Sequence, residues 1–114
     1  MARGPRPGAQ ARALADSAER AAHAAGVLRA VAHPLRIRIV ATLCRGEENV
    51  SALAERLGVR QPIVSQQLRI LRLNGLVGAT RGDGFARYRI TEPQLRDLVC
   101  CIERCRAGPG TAEA

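Results

Sequence analysis

The chain contains no lysine and no tryptophan, and only one tyrosine, one phenylalanine and one methionine among its 114 residues. With aromatic residues at 2%, any core must be built from aliphatic side chains. No apolar run approaches the ~20 residues that a membrane-spanning helix needs. The basic start is not followed by the apolar centre of a secretory signal. A cytoplasmic location with no membrane partner is therefore expected. A phosphate-cradling glycine loop, a Ser/His/Asp arrangement and facing carboxylate pairs are also missing, which argues against an enzyme. Acid is scarce as well: 18 basic residues, all arginine, stand against 10 carboxylates, for a formal charge of +8.

A length of 114 residues suits one domain, because two could not each bury enough apolar surface. The first ten residues, MARGPRPGAQ, have neither helical period nor cap and read as a disordered basic tail. Residues 11–107 form the expected domain, and 108–114 a flexible tail. The chain is also rich in alanine, glycine and proline, so the placement of the arginines says more than their number. Arg56, Arg60, Arg69, Arg72, Arg81, Arg87 and Arg89 crowd one stretch that holds Asp83 as its acid. A polyanionic partner follows, with binding that weakens steeply as salt releases counterions.

Within that stretch, Val50 to Gly75 encodes two amphipathic helices joined at Gly58. Val50, Leu53, Leu57 and Val59 recur at helical spacing in the first. Val64, Leu68 and Leu71 form the inward stripe of the second, leaving Gln61, Ser65, Arg69 and Arg72 outward. Gln and Arg side chains pair bidentately with adenine and guanine edges in the major groove, and Ser donates or accepts there. This is the pattern of a helix-turn-helix that reads double-stranded DNA. Arg60, Gln61, Ser65, Gln66, Arg69 and Arg72 are its candidate contacts, with Gln61, Ser65 and Arg69 the expected readers. An acidic protein docking on the same polar face is the competing use.

From Leu76 to Ile90 the period changes to alternation around Gly82-Asp83-Gly84, a β-hairpin signal. Ala86, Tyr88 and Ile90 share one face and Phe85, Arg87 and Arg89 the other. Arg81 and Arg87 are placed to hold phosphates, which fix position without reading sequence. Tyr88 is expected to anchor the hairpin on the core. Thr91 is read as the N-cap of a last helix over Glu92 to Arg106, with an apolar stripe of Leu95, Leu98, Val99 and Ile102. That helix is expected to pack on a long first helix, about Ala11 to Val31, and on a partner subunit, because alanine-rich faces permit close approach. A further helix is expected over Pro34 to Arg45. The fold class is thus mainly α with a β-hairpin wing: a winged helix-turn-helix that dimerises through its first and last helices.

The run Ala32-His33-Pro34-Leu35-Arg36-Ile37-Arg38-Ile39-Val40, then VSALAERLGV, QPIVSQQLRILRLNGLV and YRIT, resembles the ArsR/SmtB family of bacterial winged-helix repressors over about residues 27–106. The resemblance implies a homodimer whose first and last helices pack together. It also implies release from operator DNA when a metal ion, metalloid or reactive sulfur species binds. His33 belongs to the family's helix-start motif and is expected to cap rather than ligate. Where some members carry a Cys-Val-Cys metal motif, this chain has Asn49-Val50-Ser51, so that thiolate site is absent. Zinc-binding members use Asp and His ligands across the last helices. Glu92 and Cys105 would still ligate there, but Gln94 and Gly108 are poor substitutes, which disfavours a zinc sensor.

Attention therefore moves to the four cysteines, which a reducing compartment keeps as thiols. Cys101 and Cys105 are four apart on the expected last helix and share a face, with Cys100 turned roughly 100° away. Soft ions prefer thiolates. The expectation is that As(III), Sb(III) or another soft metal binds Cys100, Cys101 and Cys105 as inducer, with no obligatory cofactor. As small apolar residues at a helix interface they would serve packing alone. A redox or persulfide sensor pairing Cys44 with Cys105, or with Cys101, is the alternative that relatives suggest.

Overall fold

A computed structural model describes residues 13–105 except 83. The expected tails at 1–10 and 108–114 lie outside the described residues. After a 3-10 turn at Leu14–Asp16 come α1 (Ala18–Val31), α2 (Pro34–Leu43), β1 (Glu48–Asn49), α3 (Val50–Leu57), α4 (Gln61–Leu73), β2 (Val77–Gly82), β3 (Phe85–Ile90) and α5 (Gln94–Arg104). Five helices and a small antiparallel sheet make the expected winged helix-turn-helix.

Caps decide where these helices start. Extended backbone at Ser17 and acceptance of the Arg20 N–H by its hydroxyl at 3.1 Å start α1 there, not at Ala11. His33 does cap α2, its Nδ1 accepting the Leu35 N–H at 3.0 Å, with Pro34 in the first turn where no N–H is needed. That helix ends at Leu43, two residues before the expected Arg45. Asn49 caps α3 by accepting the Ala52 N–H at 2.8 Å. Helices α3 and α4 end in the same way: Gly58 and Gly75 take φ values of 68° and 73°, and the next amide returns to a carbonyl five residues back. Those bonds are Val59 to Ala54 at 3.0 Å and Leu76 to Leu71 at 3.0 Å.

In the sheet, ordered β1-β3-β2, the hairpin register pairs Val77 with Ile90 and Gly82 with Phe85. Strand β1 adds Glu48 opposite Tyr88 and Asn49 opposite Arg87. Two residues are too few to show an alternating pattern, so this strand left no sequence signal.

The core is aliphatic throughout. Ile39, Val40 and Leu43 of α2 meet Leu53 and Leu57 of α3, the Val64-Leu68-Leu71 stripe of α4, and Leu76, Val77 and Leu95. Each such side chain contributes roughly 1.5–3 kcal/mol when fully buried. Tyr88 and Ile90 pack on this core, half-buried, as the alternation of β3 requires.

The last helix departs from expectation at both ends. Thr91 does not cap it: its hydroxyl donates to the Gly75 carbonyl at 3.1 Å, fastening the approach to α5 onto the end of α4. Pro93 occupies the cap position without a side-chain bond, and Glu92 accepts the Gln94 N–H at 3.2 Å instead. At its far end α5 stops at Arg104, leaving Cys105 on extended backbone. Within the protomer α5 is fastened to α2, Arg96 Nη1 donating to the Cys44 carbonyl at 2.7 Å. Between α1 and α5 lies an open cleft of about 300 Å³ lined by Val27, Leu28, Leu95 and Leu98. The expected packing of first on last helix is thus a cleft within one protomer, because α1 leans on the core only near its C-terminal end, where Ala30 and Val31 are buried.

Gly58→Ala forces a side chain into the left-handed region, and a loss of about 1–2 kcal/mol in unfolding free energy is expected. Urea denaturation followed by circular dichroism measures it. An unchanged midpoint would show that the turn relaxes without cost.

Candidate nucleic-acid interface and thiol pocket

The inward stripe of α4 is inaccessible, with Val64 at 0%, Leu68 at 1% and Leu71 at 0% exposure, so the helix cannot rotate about its axis without opening the core. Gln61, Ser65, Gln66, Arg69 and Arg72 are all exposed on its other side. Arg60 precedes them at the cap position, with no side-chain cap bond of its own. The open face of α4 therefore carries hydrogen-bonding and cationic groups and no carboxylate.

One expected reader is already engaged. Gln61 Nε2 donates to Ser51 Oγ at 3.0 Å, which ties the first turn of α4 to α3 and sets the angle between the helices. The Asn49-Val50-Ser51 segment thus supplies a helix cap and a brace. Sequence reading passed over Ile63 and Leu73, which are 40% and 76% exposed on α4. Apolar residues beside an apolar stripe read as core, and only the packing shows that these two stand outside it.

On the hairpin, Arg81 and Arg87 are exposed on adjoining strands, at the end away from the core. Arg89 is held across the sheet by a hydrogen bond from its Nη1 to Thr80 Oγ1. Phe85 is 58% exposed beside the tip. The wing thus extends the cationic surface of α4 onto a second element.

The cysteines are distributed otherwise than expected. Cys44, half-buried at the end of α2, lines a cavity of about 270 Å³ together with Arg45, Arg96, Val99, Cys100 and Glu103. Cys100 is therefore the last-helix thiol that shares a cavity with Cys44, while Cys101 and Cys105 are exposed and outside its lining. Cys101 and Cys105 do not share a helical face, since α5 ends between them. Among the described residues no three His, Cys, Asp or Glu side chains come together as a metal-binding group. Burial pushes the Cys44 thiol up from its ordinary value, against the pull of the Arg96 charge and with a further push from Glu103.

Residues 33–78 match the profile described as bacterial regulatory protein, arsR family. The biofilm growth-associated repressor of Xylella fastidiosa is 39% identical over 84 residues, which is 74% of this chain and 74% of that protein. The crystal structure of the transcriptional repressor BigR from Xylella fastidiosa superposes with a TM-score of 0.75 at 35% identity, covering 83% of this chain and 99% of that one. The homodimeric winged helix-turn-helix DNA-binding domain Mb0332 from Mycobacterium bovis gives 0.67 at 31% identity, over 77% and 84% of the two chains.

Only the thiolate is nucleophilic. At neutral pH iodoacetamide is expected to alkylate Cys44 more slowly than Cys101 or Cys105. The Cys44 rate keeps climbing as pH is raised beyond the ordinary thiol range, because its deprotonation is postponed. Peptide mass spectrometry of timed samples reads all four sites, and a Cys44 that reacts first would contradict the assigned environment.

Proposed function

This chain belongs to the arsR family of bacterial regulatory proteins, and from that premise we propose that it is a dimeric transcriptional repressor whose operator affinity is set by thiol chemistry. It is a transcription regulator and not an enzyme. The observation that carries the DNA-binding reading is the two-sided character of α4: a sealed aliphatic stripe opposite an exposed face of Gln61, Ser65, Gln66, Arg69 and Arg72. A helix built this way presents donors and acceptors to base edges in the major groove. Arg81 and Arg87 on the wing then hold backbone phosphates and set the register.

A second protomer is the partner that suits the open cleft between α1 and α5, where Leu28 is left 51% exposed. A dimer places two copies of α4 on successive major-groove faces, about 34 Å apart on the duplex. Any change in how the protomers pack alters that separation and lowers affinity.

The input is proposed to act on Cys44 and Cys100, supported by their common cavity between α2 and α5. A low-molecular-weight persulfide transfers its outer sulfur to one thiol with release of the parent thiol. Attack by the second cysteine on the inner sulfur then gives a protein disulfide and hydrogen sulfide. Crosslinking α2 to α5 would pull on the α5 wall of the α1/α5 cleft. A second reading keeps As(III), Sb(III) or another soft metal as inducer on Cys100, Cys101 and Cys105. It is favoured by the exposure of all three within six residues, where a partner protomer can complete a thiolate set.

In fluorescence anisotropy against operator DNA, Arg69→Ala is expected to cost about 1–3 kcal/mol and to relax the preference at one base position. Arg87→Ala weakens all sequences alike and lowers the salt slope by about 1. Binding indifferent to both changes would shift the reading to a protein partner on the same face. Intact-mass spectrometry separates the inputs: after persulfide, a Cys44–Cys100 crosslink is expected, lost in Cys100→Ser. A stoichiometric metalloid adduct, with no crosslink under persulfide, would favour the second reading.

A further inference from the structure

Arg36, in the first turn of α2, is half-buried and reaches two other helices at once. Its Nε donates to the Ala30 carbonyl at 2.6 Å, and its Nη1 donates to Gln67 Oε1 at 2.7 Å. Ala30 is the penultimate residue of α1 and is buried, so its carbonyl belongs to the last turn, which has no intrahelical donors left. A cation there also meets the negative end of the helix dipole. Gln67 lies in the middle of α4, half-buried on the flank between the sealed stripe and the open face, directly after Gln66 and two residues after Ser65.

Both acceptors are neutral, so neither bond neutralises the guanidinium, and what arginine brings is geometry. Its planar fork holds two donors at a fixed angle, which a lysine ammonium cannot do. Three helix positions are thereby locked to one rigid group: the end of α1, the start of α2 and the centre of α4. Helix α1 also leaves Leu28 uncovered at 51% exposure, on the open cleft toward α5.

We propose that Arg36 is a positioning residue for DNA reading, a clamp that fixes the angle of α4 to the end of α1 so that the packing of α1 in the dimer dictates the separation of the two recognition helices. The proposal rests on the dimeric operator-binding reading above. It adds the route by which dimer geometry reaches the bases: partner protomer to α1, α1 to Arg36, and Arg36 through Gln67 to α4. Neither Arg36 nor Gln67 reads a base. Loosening the clamp therefore leaves each half-site interaction intact while freeing the distance between the two.

The test uses fluorescence anisotropy with duplexes selected from random DNA for tightest binding, the same duplexes lengthened or shortened by one base pair between half-sites, and an isolated half-site. Wild-type protein is compared with Gln67→Leu, Arg36→Met and the double variant, with thermal melts by circular dichroism to confirm folding. Gln67→Leu is expected to keep half-site affinity and salt slope within about twofold while its preference for the native spacing falls about fivefold, the scale of coupling between contacting residues. The double variant should be no more permissive than Arg36→Met alone. Retention of wild-type spacing preference by Gln67→Leu overturns the clamp. So does a loss of half-site affinity equal to the whole operator loss, which would make Gln67 a direct reader. A wild-type protein with no spacing preference overturns the dimeric reading itself, a result visible before any variant is made. Should Arg36→Met fail to fold, Gln67→Leu decides alone, since it leaves the bond from Arg36 to Ala30 in place.

Discussion

Whatever the outward face of α4 does depends on how firmly its inward face is held. Val64, Leu68 and Leu71 sit in a core made of leucine, isoleucine, valine and alanine, with the one tyrosine at its margin and the one phenylalanine at the wing tip. Aliphatic side chains of similar size must interlock closely to reach native density, and a core so packed resists rotation of any one helix. The orientation of Gln66 and Arg69 toward solvent is a consequence of that resistance. Two further restraints act on the same helix: the Gln61–Ser51 bond at its start and the Gly75 turn with Thr91 at its end.

Charge is arranged on this scaffold so that function and solubility draw on the same residues. Arginine occupies the open face of α4 and the far end of the wing, while the core holds no charged side chain among the described residues. Some arginines are put to structural use. Arg36 joins α1, α2 and α4, and Arg96 closes the end of α2 by binding the Cys44 carbonyl. Arg69, Arg72, Arg81 and Arg87 are exposed on the open face of α4 and on the wing.

Helix α2 lines the thiol pocket at its end and packs against the inward stripe of α4 in the core. Cys44 lies at the C-terminal end of that helix and Arg36 at its start, so the thiol cavity and the Arg36 contacts sit at opposite ends of one helix. Asn49-Val50-Ser51 serves capping and bracing at the start of the helix-turn-helix.

Local signals in the chain determined much of the architecture. The stripes of α3 and α4, the glycine turns, the His33 cap and the alternation of the hairpin each span a few residues, and short-range sterics and hydrogen bonding are enough to specify them. Tertiary structure alone decided what joins distant residues. The α1 start at Ser17, the end of α5 before Cys105, the third strand at Glu48–Asn49 and the cavity lined by both Cys44 and Cys100 were not read from the sequence. Arg36 and Gln67 are 31 residues apart, and Arg96 and Cys44 are 52 apart. No periodicity carries such pairings, because they come into being only when the aliphatic core closes and fixes which helix faces meet.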